Sequence, residues 1–111
     1  MNPDDPLDQP VPLVHPDTLR KLTGNMIRRL RELRGISQGD LAQMSATNLS
    51  YISSIENGKN NISIRKFFEL SNALGLSPNK LMNILVLVNR SVLLDRDGGE
   101  SADEDMGLPS T

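Results

Sequence analysis

The chain contains no cysteine and a single histidine, His15, among its 111 residues, and no apolar run approaches the roughly 18 residues that read as a membrane-spanning helix. Without cysteine there is no disulfide framework, no thiolate zinc site and no thiol nucleophile. One histidine leaves a histidine-bearing triad or a metal cage little to draw on. The expectation is therefore binding rather than catalysis: no enzyme, no cofactor, no metal and no membrane. The opening MNPDDPLDQP is acidic and proline-rich, whereas a secretory signal needs a basic segment followed by an apolar one, so a cytoplasmic location is expected. Stretches of alternating apolar and polar residues are missing too, which argues against strands.

What is present is an uneven charge. A net −2 and a pI near 5.3 argue at first sight against a polyanionic partner. Residues 1–17, however, carry Asp4, Asp5, Asp8 and Asp17 with no Lys or Arg, a net −4. Residues 95–111 carry Asp95, Asp97, Glu100, Asp103, Glu104 and Asp105 against Arg96, a net −5. The middle holds Arg20, Lys21, Arg28, Arg29, Arg31, Arg34, Lys59, Arg65, Lys66, Lys80 and Arg90 against Glu32, Asp40, Glu56 and Glu69, a net +7. A basic middle between acidic ends reads as one compact domain with solvated tails. It presents either a merely soluble surface or a face that binds a polyanion.

Five prolines in residues 1–16 remove amide donors and bias their predecessors toward extended backbone, so this stretch is expected to be a flexible acidic arm. From Asp17, the spacing of Leu19, Leu22, Met26, Ile27, Leu30 and Leu33 predicts a helix ending at Gly35, with Gly24 weakening it and dividing off a first turn. Ser37 with Asp40 three positions later is a capping-box pattern, and a short helix over 38–45 follows. Asn48 caps a third helix through Asn57, and Ser63 caps a fourth that Gly75 closes. In the fourth, Ile64, Phe67, Phe68, Leu70, Ser71 and Leu74 are read as the inward stripe. Ser77-Pro78 starts a fifth. The class is all-α, a five-helix domain over 17–82 with disordered tails at both ends.

Residues 83–94 form a separate apolar segment. Leu81, Leu85, Val88 and Val92 share one helical face, whereas Val86, Leu87 and Leu94 lie off it. The segment either folds back on its own core, as helix or strand, or is covered by a second copy. Residues 95–111 are expected to be a disordered acidic tail, inert or mimicking nucleic acid against the chain's own basic face.

The two short helices joined by a tight turn match the geometry that presents a second helix to the DNA major groove. The elements Gly35-Ile36-Ser37-Gln38, Asp40-Leu41-Ala42, Tyr51-Ile52-Ser53, Ile55-Glu56-Asn57-Gly58-Lys59 and Leu74-Gly75-Leu76-Ser77 stand in order and without gaps. With them the stretch 27–81 resembles the helix-turn-helix of the Xre/Cro family of phage and bacterial repressors. That resemblance implies a sequence-specific regulator of transcription, more a repressor than an activator, binding double-stranded DNA at a palindromic operator as a homodimer.

It also implies roles. Gln38 would donate to a phosphate. Asn48, Leu49, Ser50, Ser53 and Ser54 would face the groove, while Tyr51 offers its hydroxyl to a phosphate or only packs. Asn57, Lys59 and Asn60 would lie against the sugar-phosphate backbone. Glu56 is expected to turn inward and pair with an arginine of the first helix such as Arg31. Three departures stand out: Ala46 where glycine is usual in the turn, Gly39 where a better helix former is common, and a recognition helix without Arg, Lys or Gln. Strong bidentate base reading is then unavailable, so serine, asparagine and the Leu49 methyls, or DNA shape, must specify sequence. The alternative reading is a protein-interaction module, antitoxin-like or an adaptor, that grips a protein partner through its acidic arms or its C-terminal segment, Leu81 to Leu94, and binds DNA secondarily.

Overall fold

The computed structural model describes residues 2–5 and 8–99. Among them are five helices and no strand: α1 (Pro16–Leu33), α2 (Gln38–Met44), α3 (Leu49–Glu56), α4 (Ile64–Ala73) and α5 (Pro78–Gly99). None is long and apolar enough to cross a membrane. The local chemistry that starts each helix is in place. Ser37 Oγ accepts from the Asp40 amide while the Asp40 carboxylate accepts from the Ser37 amide, both at 3.0 Å. The Ser37 amide, and after it the Ser37 side chain, hold the Asp40 carboxyl below its ordinary value. Asn48, Ser63 and Ser77 each accept from the amide three residues on, at 2.8, 3.1 and 3.1 Å. Each cap supplies one of the amide partners that a helix start otherwise lacks.

One core joins all five helices. Met26 and Ile27 of α1, Leu41 and Ala42 of α2, Ile52 and Ile55 of α3, Leu70 of α4, Leu74 just after it, and Leu81 of α5 are buried together. Leu85 packs against this cluster. Residues 83–94 are helical, which resolves the helix-or-strand alternative, and α5 continues past Leu94 to Gly99. The first residues of the expected disordered tail are thus helical; residues 100–111 lie outside the described residues.

Three further readings are corrected. In α4, Leu70, Ser71 and Leu74 point inward, but Ile64 and Phe68 are exposed at 80% and 52%. They line an apolar groove of about 810 Å³ running toward Met82 and Leu85 of α5. The stripe was wider than the face the domain covers. Gly24 does not divide α1: a Cβ there would stand 2.2 Å from the Ile55 carbonyl oxygen, so glycine lets α1 cross the end of α3 at backbone distance. The arm, expected to be flexible, is turned at its start and irregular over 10–15, and its inner end is not free. Val14 is buried, its amide donates to Asn89 Oδ1 at 3.1 Å, and Asn89 Nδ2 donates to the Pro12 carbonyl at 2.7 Å.

Candidate nucleic-acid interface

The turn between α2 and α3 contains Ala46 at φ +57°, a left-handed backbone that favours glycine. Lys66, reaching from α4, donates to the Ala46 carbonyl at 2.9 Å and sits 3.4 Å from that of Ser45, satisfying carbonyls that the end of α2 leaves open. The strained turn is therefore fixed from two sides, by its flanking helices and by a third.

At the far end of α3 from that turn lies Glu56, the last residue of the helix, with a fully buried carboxylate. Arg31 of α1 grips it in two places, Nε to Oε2 at 2.7 Å and Nη2 to Oε1 at 3.0 Å, and spends another N–H on the Ile36 carbonyl at 2.9 Å. Gln38 at the start of α2 donates to Oε1 at 2.9 Å, and Arg28 Nε approaches the same oxygen at 3.3 Å. Burial pushes this carboxyl up, but the hydrogen bonds from Arg31 and Gln38, with the charge of Arg31, together hold it below its ordinary value. The same contact raises Arg31 above its ordinary value. One ionised group thus ties α1 and α2 to the end of α3, as the sequence led one to expect for Arg31.

The outer side of α3 is polar and open. Leu49, 56% exposed, and Ser50, also exposed, occupy its first turn. Ser53 and Ser54 are half-buried further along. Asn57 Nδ2 lies 3.5 Å from the Ser53 hydroxyl, and Asn60 Nδ2 donates to that of Ser54 at 2.8 Å. Asn57 Oδ1 accepts from Arg28 at 3.2 Å, and Lys59 stands exposed beside these side chains. Two of the residues singled out have internal duties. The Asn48 side chain caps α3, and Gln38 has one amide hydrogen committed to Glu56. Tyr51 is half-buried against the core, and that burial raises its phenol above the ordinary value. Leu49, Ser50, Ser53, Asn57 and Lys59 remain as a contiguous outward set on α3 and the turn that follows.

Sequence reasoning missed Arg28, Lys66 and Asn89 as placed residues. Lys66 and Asn89 leave no local signal. Arg28 does, because Lys21, Asn25 and Arg28 recur at i, i+4 and i+7, one face of α1.

A short helix held end-on by a buried ion pair, with its polar face outward on a cationic body, defines a helix-turn-helix DNA-binding module. The helix-turn-helix family matches residues 27–81. The uncharacterized HTH-type transcriptional regulator y4dJ of Sinorhizobium fredii (strain NBRC 101917 / NGR234) is 36% identical over 64 residues, 58% of this chain and 83% of that protein. Control protein C.BamHI of Bacillus amyloliquefaciens is 32% identical over 74 residues, 66% of this chain and 91% of that protein. Among solved structures, the restriction-modification controller protein C.Esp1396I, as a tetramer with its natural 35-base-pair operator, is 27% identical. It superposes with a TM-score of 0.59, covering 63% of this chain and 92% of that one. The chain belongs to the Xre-type helix-turn-helix transcriptional regulators.

Proposed function

We propose that this chain is an operator-binding regulator of the restriction-modification controller type, acting in the cytoplasm as a repressor and binding a palindromic site as a homodimer. The observation that carries the reading is the outward set on α3, Leu49, Ser50 and Ser53, presented by a helix whose base is fixed through Glu56 to both α1 and α2. Lys59 and the arginines of α1 supply phosphate attraction, which sets affinity; the α3 face supplies register in the groove. Two copies place their α3 helices about 34 Å apart, one helical turn of DNA. The exposed apolar side chains of α4 and α5, Ile64, Phe68, Met82, Leu87 and Leu94, support self-association. So does the operator-bound tetramer of the neighbouring controller protein.

The test is binding to duplex DNA carrying an operator selected by the protein from a random-sequence pool. Log affinity should fall steeply with log salt, and sedimentation should give an even number of copies per operator. Ser50→Glu, an exposed change that leaves the helix content intact, should weaken operator binding about 10- to 100-fold, the worth of one or two groove contacts. A flat salt response would instead favour the protein-interaction module, and unaltered binding by Ser50→Glu would remove α3 from the groove.

A further inference from the structure

We propose that Lys66 of α4 is a positioning residue for DNA recognition: its ammonium clamps both peptide units around Ala46 and so sets the angle at which α3 leaves the turn. The proposal rests on the DNA-binding reading and adds to it a residue that touches neither base nor phosphate.

The chain's other turns show why this one needs holding. Gly35, Gly58 and Gly75, at φ +69°, +73° and +75°, each stand two residues past the end of a helix. Ala46 occupies the same place after α2, at φ +57°, with a side chain. A residue bearing a Cβ persists in that conformation only where its surroundings over-determine it. From the α2 side the turn is closed by the Thr47 amide, which donates to the Ala42 carbonyl at 2.9 Å.

Lys66 supplies the opposite side. The φ and ψ angles of Ala46 are rotations of the two peptide units that meet at its Cα, and the carbonyls of those units are those of Ser45 and Ala46. Lys66 Nζ donates to the Ala46 carbonyl at 2.9 Å and reaches that of Ser45 at 3.4 Å. One cation thus holds both units, and neither angle can relax without pulling a carbonyl from it. Glu69, one turn along α4, pairs with the same ammonium through Oε1 at 2.8 Å, while its Oε2 pairs with Arg65 at 3.3 Å. An ammonium has three N–H donors, so these three oxygens leave none for a phosphate.

The turn in question governs the groove-facing helix. Only Thr47 and the Asn48 cap separate Ala46 from α3, whose exposed opening residues are Leu49 and Ser50. Glu56 fixes the closing end of α3 to α1 and α2, and Lys66 fixes the opening end to α4. Held at one end alone, a helix of eight residues can swing.

Lys66 is half-buried, and Lys66→Met keeps its apolar stem. With the selected operator this variant should bind about 5- to 10-fold more weakly, because fewer molecules present α3 correctly and apparent affinity falls by that fraction. Its salt slope should equal that of the unaltered protein, since Lys66 displaces no counterion. In the free protein, the strong nuclear Overhauser contact between the Ala46 amide and its own Hα, a mark of positive φ, should weaken. Adding Ala46→Gly, which takes positive φ without strain, should restore most of the affinity. Glu69→Gln, which loosens the ammonium from α4, should give a smaller loss in the same direction.

The role is overturned if Lys66→Met lowers Tm yet binds as tightly as the unaltered protein at temperatures where both are folded, for the lysine then only stabilises. It is overturned if the salt slope drops by about 0.9, the share of one phosphate, since Lys66 then meets DNA directly. It is also overturned if the loss persists undiminished alongside Ala46→Gly, because the turn is then not what Lys66 acts through. If the unaltered protein binds no duplex DNA, the regulator reading fails and this role falls with it, an outcome distinct from the other three, in all of which the unaltered protein binds.

Discussion

Glu56 and Asn89 are both buried polar side chains, at most 2% exposed, and each joins parts of the chain that are distant in sequence, but they do so with opposite chemistry. Glu56 is a charge shared among three helices, satisfied by two arginines and a glutamine. Asn89 is a neutral amide that reads two backbone groups of an irregular segment, accepting from Val14 and donating to Pro12. Proline has no N–H, so its carbonyl is the one backbone group it offers, and the asparagine pairs it with the amide two residues on much as a neighbouring strand would. A charge needs several donors to repay its desolvation and so forces a multi-element hub, whereas an amide is satisfied by two bonds and needs one neighbour. The part of the domain around α3 is therefore interlocked, and the arm beside α5 is clasped.

That contrast breaks first at Glu56. Glu56→Ala leaves Arg31, whose side chain is 12% exposed, without its partner, and should cost about 3–5 kcal/mol in denaturant unfolding. The pH dependence follows from the lowered carboxyl. Glu56 contributes stability that is complete above the ordinary glutamate value of about 4.3 and is lost as pH falls through the lower folded value. Glu56→Gln should hence be less stable than the unaltered protein at neutral pH, with the gap narrowing below about pH 4. Equal acid sensitivity in the two proteins would mean that the hub's charge is not what locks the helices.

Asn89 should give a smaller and more local effect. Asn89→Ala removes both bonds to the arm, at about 1–3 kcal/mol, and its Val14 amide should exchange with solvent far faster while α1–α3 amides keep their protection. If the arm released by Asn89→Ala loosened α3 as well, clasp and hub would be one cooperative unit, and the comparison drawn between them would fail.

The two anchors also mark what a reader of the sequence could see. Helix starts were legible because capping is local: Ser37, Asn48, Ser63 and Ser77 each act within three residues. The inward turn of Glu56 was legible because an acid on a phosphate-binding surface needs a cation, and arginines sit one helix away. Asn89 gave no such sign, since its partners lie 75 and 77 residues earlier in a stretch whose prolines signal only irregular backbone. Gly24 was misread for the same reason: its neighbour is the Ile55 carbonyl, and spacing within α1 carries no trace of it. The placing of Arg28 was half-written in the i, i+4, i+7 spacing of Lys21, Asn25 and Arg28, but its partners Glu56 and Asn57 come from the end of α3 and the turn after it.

The smallest effect is expected at Ala46, on the hub side. Its φ of +57° costs a side-chain-bearing residue about 1–2 kcal/mol, which glycine would not bear. Glycine in turn loses about 0.4–1 kcal/mol by enlarging the unfolded ensemble. Ala46→Gly should therefore stabilise the domain by a net of about 0.5–1 kcal/mol, equivalent to about 2–8 °C in Tm for a domain of this size. Lys66 bonds the backbone carbonyls of the turn and not the alanine side chain, so the turn and the pose of α3 should persist, and operator affinity should not change. A gain in stability accompanied by weaker DNA binding would show that the strain at Ala46, rather than the Glu56 hub alone, sets the angle at which α3 is presented.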